Sequence, residues 1–379
     1  MRIVADQNIT EVEAAFGGLG EVIRVPGRTL AREHLRDAGM LLVRSVTRVN
    51  AELLDGTPVR FVATATSGVD HVDTDYLRTR SIAFADAPGS NAESVAEYVV
   101  CALLLRLAAE ERPAQGLTVG IIGCGHVGSR VARKCEALGM RCILNDPPLR
   151  DATGNARYED IATALQADVV TLHVPLTDVG PYPTRNLIDA ARLQRMRPDA
   201  LIINTARGGV IDEAALVRHL YARSGTNAVI DCWENEPAIS RRLLSRAVLA
   251  TAHIAGYSYD AKLRATEMIY QAACRFLGVE PGWEAALDPI AGGYMVDTHV
   301  DQEALRRAVV ACYDVRADDA LLRYALTMGP KHMAPYFDGL RRDYRKRREF
   351  AALKVTCHRR RDRLAAMLAG LGFTVRLVP

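Results

Sequence analysis

The stretch VGIIGCGHVGSRV, residues 119–131, constrains this chain more than any other. It sets Gly123-x-Gly125-x-x-Gly128 directly after a strand-forming run and directly before a helix-forming one. A bare repeat of three glycines says little. Here Asp146 closes the next strand-like run, RCILND, in the place where a βαβ dinucleotide fold sets a ribose-binding acid. In that arrangement Gly123 makes the tight turn and Gly125 lets backbone N–H groups approach a pyrophosphate at the positive end of a helix. Gly128 lets that helix pack closely on its strand. Gly123, Gly125, His126, Val127 and Gly128 are therefore the expected cofactor-binding turn. The Asp146 carboxylate can accept hydrogen bonds from ribose hydroxyls and would repel a 2′-phosphate, so NAD is expected rather than NADP.

The flanking pattern is α/β throughout. RIVAD, EVIRV, MLLVRS and RFVATAT are short apolar runs of the kind buried in parallel sheets, separated by the helix-like ITEVEAAFGGLG and AREHLRDAG. A long helix is expected over 91–111, with Asn91 as its cap. A second set of strand runs then follows: LTVGIIG, RCILND, ADVVTLHVP, ALIINTA and NAVIDCWE, with a helical stretch such as 212–225 between them. Another long helix is expected over 258–278 and a Pro- and Gly-containing linker over 279–293. The remainder reads as a small α+β module in which ALKVTC, RDRLAAMLAGLG and FTVRLVP form strand, helix and strand. LRRDYRKRREF, 340–350, reads as a solvated charged face. The expected architecture is two doubly wound parallel-sheet domains plus a small C-terminal α+β domain. The boundaries expected are 1–95 with 258–285, then 96–257, then 286–379.

Charge and cysteine usage remove other classes. Lys and Arg total 48 against 45 Asp and Glu, so no excess charge argues for a nucleic-acid or membrane partner. The 8 cysteines contain no C-x-x-C pair, so no metal site is expected. YVVCALLL at 98–105 is far short of the ~20 residues that span a bilayer. MRIVADQN lacks the basic-then-apolar pattern of an export signal, and a reducing cytoplasmic setting is expected.

The chemistry gathers after the nucleotide motif. Arg207 in NTARGG stands just past a strand, where ligands of open α/β sheets bind, and a guanidinium there can grip a carboxylate with two parallel bonds. Asp231 ends the next strand, and Glu234 and Glu236 lie in the loop beyond it. His253 in AHIAG comes next. Alone, a histidine among small apolar residues is most simply a packed one. Following an Arg loop and a Glu loop beside a nicotinamide site, it becomes a candidate acid–base group oriented by a carboxylate.

The nucleotide motif with Asp146, then NTARGG, ENEP and AHIAG, resembles the D-isomer-specific 2-hydroxyacid dehydrogenases over residues 1 to about 278. The resemblance implies a flavodoxin-like split substrate domain beside a Rossmann domain, with Arg207, Glu236 and His253 catalytic. VRSVTRVN (43–50), FVATATSGVDHVD (61–73), NDPP (145–148), GPYPT (180–184), AHIAGYS (252–258) and YDVRADDALLR (313–323) are similar to one branch of that family. That branch acts on a small phosphorylated hydroxy acid and pairs into a homodimer through its C-terminal domain. It implies substrate contacts from Ser45, Thr66 and Tyr257, and NAD contacts from Asp146, Val174, Ala206, Arg207, Asp231 and Gly256. Val174 stands where the branch has a polar residue, which leaves a backbone contact there. Arg44 and the amides of Thr66–Gly68 are candidates for the phosphate. His71 and His173 match no role and are expected to be structural. The alternatives are a phosphoglycerate-type enzyme with a C-terminal regulatory domain, or an NAD-binding regulator that has lost catalysis.

Overall fold

Five parallel strands, β1 (Arg2–Asp6), β2 (Glu21–Val25), β3 (Ala38–Val43), β4 (Phe61–Thr64) and β5 (Ala83–Ala85), form a sheet in the order β2-β1-β3-β4-β5. This is the flavodoxin-like order. Alternation along the strands sends Ile3, Ala5, Met40 and Leu42 into one core, with Phe16, Phe61, Ile269 and Tyr270. Val4, Leu41, Val43 and Val62 go into a second core on the other face, with Leu35 and Leu77. Both faces are covered, which is why these strands read as nearly continuous apolar runs. The helix Tyr259–Leu277 lays Ala265, Ile269, Ala273 and Cys274 on the first of these cores.

In the computed structural model, residues 1–222 and 225–379 are described, and they divide into two compact units. Met1–Asn91 with Tyr257–Asp288 is one, and Ala92–Gly256 with Pro289–Pro379 is the other. The second is built on six parallel strands: β6 (Thr118–Ile122), β7 (Arg141–Asn145), β8 (Val169–Leu172), β9 (Leu201–Asn204), β10 (Asn227–Ile230) and β11 (Leu249–Ala250). Their order is β11-β10-β9-β8-β6-β7. Beyond β7, Tyr158 makes a single parallel bridge to Leu144, so the third strand of the Rossmann order survives as one residue. The order reverses between β6 and β8, and the crevice past their carboxyl ends is where doubly wound sheets bind ligands.

The helix Ala92–Ala109 is buried around most of its surface, Glu97, Tyr98 and Cys101 included. C-terminal residues cover part of it: Cys101 Sγ donates to Tyr313 O, and the Phe350 amide donates to Glu97 Oε1. Three short parallel strands, β12 (Tyr294–Met295), β13 (Lys354–His358) and β14 (Thr374–Val378), close the chain, with the helix Asp362–Leu371 joining the last two.

Two expectations need correction. AREHLRDAG forms only a 3₁₀ turn, Arg32–Leu35, because β3 starts at Ala38 and His34 Nδ1 closes the turn locally by accepting the Ala31 amide. The basic run 340–350 is not a uniformly solvated face: Arg347 is only 2 % exposed. Its guanidinium lies 3.7 Å from the Tyr313 ring centre and donates to Ala255 O (3.0 Å) and Ser94 O (2.7 Å). A weakly hydrated planar cation tolerates such a place when a ring face and carbonyls receive it. The helix read over 212–225 is seen as Glu213–Ala222, and its end at Arg223 and Ser224 lies outside the described residues.

Candidate active site

The glycine turn has the geometry its spacing requires. Gly123 has φ +88°, and a Cβ there would lie 2.6 Å from His173 O. A Cβ on Gly128 would lie 1.9 Å from Gly123 O, so the helix His126–Ala137 can leave the turn at this distance only without a side chain. A Cβ on Gly125 would meet nothing within 4 Å. That open space over the first turn of the helix suits a pyrophosphate. Asp146 takes the Cys124 amide on one carboxylate oxygen (2.7 Å) and the Leu149 amide on the other (3.0 Å). It is thereby fixed at the end of β7 with acceptor capacity left for ribose hydroxyls. Val174 packs partly buried against the core beside this turn. His173 is half-buried, its Nε2 2.9 Å from Thr171 Oγ1, and desolvation drives its pKa down to about 3. It is a neutral structural histidine.

Arg207, Glu236 and His253 lie on the loops after β9, β10 and β11, three adjacent strands of one sheet. The loops lock together in sequence. A Cβ on Gly208 would stand 1.9 Å from Trp233 O, so the Arg207 loop lies directly against the next one. The Trp233 amide donates to Glu236 Oε1 (2.9 Å), which turns that carboxylate inward, and Trp233 Nε1 donates to Thr251 O (2.8 Å). Glu236 then meets His253, with Nδ1 to Oε2 at 2.9 Å and to Oε1 at 3.1 Å. Of the two glutamates in that loop, Glu236 reaches the histidine, while the Glu234 amide donates to Glu213 Oε2. Arg207 Nη1 donates to Ala206 O (2.8 Å), and Asn204 brackets the turn by accepting the Ala206 amide and donating to Arg207 O.

Asp231 is the post on which the histidine loop hangs. It is 1 % exposed, and its carboxylate accepts from Thr251 Oγ1 (2.6 Å), the Ile254 amide (2.7 Å) and the Ala255 amide (3.0 Å). Burial raises its pKa against the opposing pull of His253 and those donors. The His253 amide donates to Asp231 O, and His253 sits at φ +54°, a left-handed conformation uncommon outside glycine. The backbone is bent there to present the ring, and Asp231 supplies the bonds that hold the bend.

Glu236 has a further neighbour that its sequence position does not suggest. Arg341, on the helix Pro330–Arg342, places Nη1 3.8 Å from Glu236 Oε2. His253 first and Arg341 after it hold the Glu236 carboxyl below its usual range, although burial pulls the other way. Glu236 is thus an anion at neutral pH, able to receive the Nδ1 proton of His253 and leave Nε2 for a substrate. The only sequence signal for Arg341 was its membership in a basic run.

In the other unit, Ser45 is exposed just past β3, and Thr66 lies past β4 with its hydroxyl 2.7 Å from Thr64 Oγ1 and donating to Gly68 O (2.9 Å). His71 Nε2 is 2.9 Å from Thr64 Oγ1, a local structural bond. Tyr257, at the start of the returning segment, is faced by two cations. Arg44 lies 5.7 Å and Lys262 4.9 Å from its ring centre. Lys262 went unnoticed in the sequence, since a lysine in a helical run carries no mark of its own.

Residues 105–255 match the family model described as D-isomer specific 2-hydroxyacid dehydrogenase, NAD binding domain, and residues 293–372 match a domain of unknown function. The chain is 45 % identical to the erythronate-4-phosphate dehydrogenase of Marinobacter nauticus, with 100 % of each chain covered. It is 47 % identical to that of Salinibacter ruber, with 92 % of each covered. Among solved structures, a Thermus thermophilus protein is similar at 26 % identity and TM-score 0.61, covering 74 % of this chain and 99 % of that one. NAD-bound 3-phosphoglycerate dehydrogenase of Entamoeba histolytica shares the fold at 24 % identity and TM-score 0.63, covering 73 % and 95 %.

Proposed function

The chain belongs to the erythronate-4-phosphate dehydrogenases, within the D-isomer-specific 2-hydroxyacid dehydrogenases, and on that premise we propose how its residues work. It is an NAD-dependent oxidoreductase acting on a CH–OH group, and the reaction is oxidation of the C2 alcohol of 4-phospho-D-erythronate to (R)-3-hydroxy-2-oxo-4-phosphooxybutanoate. NAD supplies the hydride acceptor for C2. The observation that carries the residue assignment is the His253–Glu236 pair, 2.9 Å apart on adjacent loops of the nucleotide-binding sheet.

With Nδ1 committed to Glu236, His253 takes the C2 hydroxyl proton on Nε2 as general base and returns it in the reverse reduction. Glu236 fixes the tautomer and stabilises the imidazolium that results. Arg207 grips the substrate carboxylate and stabilises the developing carbonyl oxygen. Ser45, Thr66 and Tyr257 contact the substrate. The turn Gly123–Gly128 with Asp146 holds the cofactor, joined by Val174, Ala206, Arg207, Asp231 and Gly256. For Asp231, that assignment rests on resemblance, and its bonds to Thr251, Ile254 and Ala255 support a scaffolding role beside it. We place the reaction in pyridoxal 5′-phosphate (vitamin B6) synthesis, in the cytoplasm, in a homodimer paired through the C-terminal residues. No helix among the described residues is long and apolar enough to cross a membrane.

The deciding experiment is NADH formation by the purified protein with 4-phosphoerythronate, 3-phosphoglycerate and unphosphorylated erythronate, with hydrazine to trap the oxo acid. A strong preference for 4-phosphoerythronate is expected. A preference for 3-phosphoglycerate would keep the mechanism and replace the substrate. No hydride transfer with any of the three would remove the catalytic assignment.

A further inference from the structure

We propose that Arg44 and Lys262, gathered around the ring of Tyr257, form the subsite that receives the phosphate of the substrate. The proposal rests on the substrate assigned above and adds the groups that recognise its charged end.

Arg44 directly follows β3, at the carboxyl end of a strand in the split sheet, and its backbone is held in a turn by the Thr47 amide, 3.2 Å from Arg44 O. Lys262 is in the first turn of the 19-residue helix Tyr259–Leu277, at its positive end. Tyr257 stands just before that helix, and both cations lie against its ring, at 5.7 Å and 4.9 Å. Bringing two cations to one aromatic ring costs mutual repulsion as well as desolvation. The cost is registered at Lys262, where burial first and Arg44 second lower the pKa to about 8. A phosphate monoester dianion relieves both, because it carries close to two negative charges and offers acceptors to a guanidinium fork and an ammonium together. A carboxylate alone would compensate one cation.

The test compares 4-phosphoerythronate with unphosphorylated erythronate in wild type, Lys262→Met and Lys262→Arg, with inorganic phosphate as a competitive inhibitor. In Lys262→Met, the ratio of kcat/KM between the two acids should shrink by roughly 10–100-fold, the effect falling on KM. Inhibition by phosphate should weaken in parallel. Lys262→Arg should restore most of the discrimination, and NADH binding in each variant reports that the nucleotide-binding fold is intact. If Lys262→Met slows both acids equally, or neither, the subsite is wrong and the substrate stands. If wild type itself fails to distinguish the two acids, the substrate assignment falls.

Discussion

His253, the general base proposed above, shows how surroundings can fit one residue for chemistry. Its ring is presented by a left-handed backbone, held by Asp231 and oriented by Glu236. His253→Ala should lower kcat by roughly 100–10,000-fold, the usual scale for losing a general base, with NADH affinity little changed. Turnover near wild type would end the assignment. Arg207→Lys should also be severely impaired, since an ammonium cannot reproduce the two-pronged grip; unchanged kcat and KM would sink that role. Lys262 gives a pH signature. Its ammonium, faced by Arg44 and the Tyr257 ring, is protonated below about 8 and lost as the pH rises through that value. KM for 4-phosphoerythronate should climb above that point while KM for erythronate stays level, and level profiles for both would remove Lys262 from binding. The pairing of the proposed acid–base residues was foreshadowed in sequence because each marks its own loop. Lys262 and Arg341 were not, because their meaning comes from distant neighbours, Arg44 in one case and Glu236 in the other.

At the scale of elements, the strand–turn–helix around Gly123 was the most readable part of the chain, since each glycine answers a different steric demand. Those demands separate by substitution. Gly128→Ala drives a methyl to within 1.9 Å of Gly123 O and should cost about 1–3 kcal/mol of stability, seen as a lower Tm. Gly125→Ala meets open space, so Tm should hold while the Kd for NADH rises. Equal Tm losses would mean the turn is not built as described. Periodicity also located both long helices, at Ala92–Ala109 and Tyr259–Leu277. It failed at 31–39, where a helix-like composition met too short a connection, and β12 at Tyr294–Met295 lay just past the linker read over 279–293, where no strand was expected. A two-residue strand is set by its partner β13, and no local pattern announces it.

For the whole molecule, the parallel sheets followed from local pattern, but the setting of the C-terminal arginines did not. Arg347 is buried between the carbonyls of Ser94 and of Ala255, the latter two residues beyond His253, and Glu97 and Glu349 are also buried. Burial and Glu349 push the Glu97 carboxyl well above its normal range, with Arg347 among the charges opposing them. Arg347→Met should therefore cost roughly 3–5 kcal/mol, as removal of one member of a buried charge cluster does, and lower kcat as the Ala255 carbonyl loses its brace. A Tm within about a degree of wild type would show the arginine to be dispensable.

The pairing of residues 92–256 with 289–379 in one unit bears on heredity as well as on folding. An appendage that served only to join two copies could be exchanged among relatives without touching the chemistry. Here Arg341 stands beside Glu236, and Arg347 grips the loop that carries His253. A chimera receiving its tail from a distant dehydrogenase would change the neighbours of both Glu236 and the His253 loop at once.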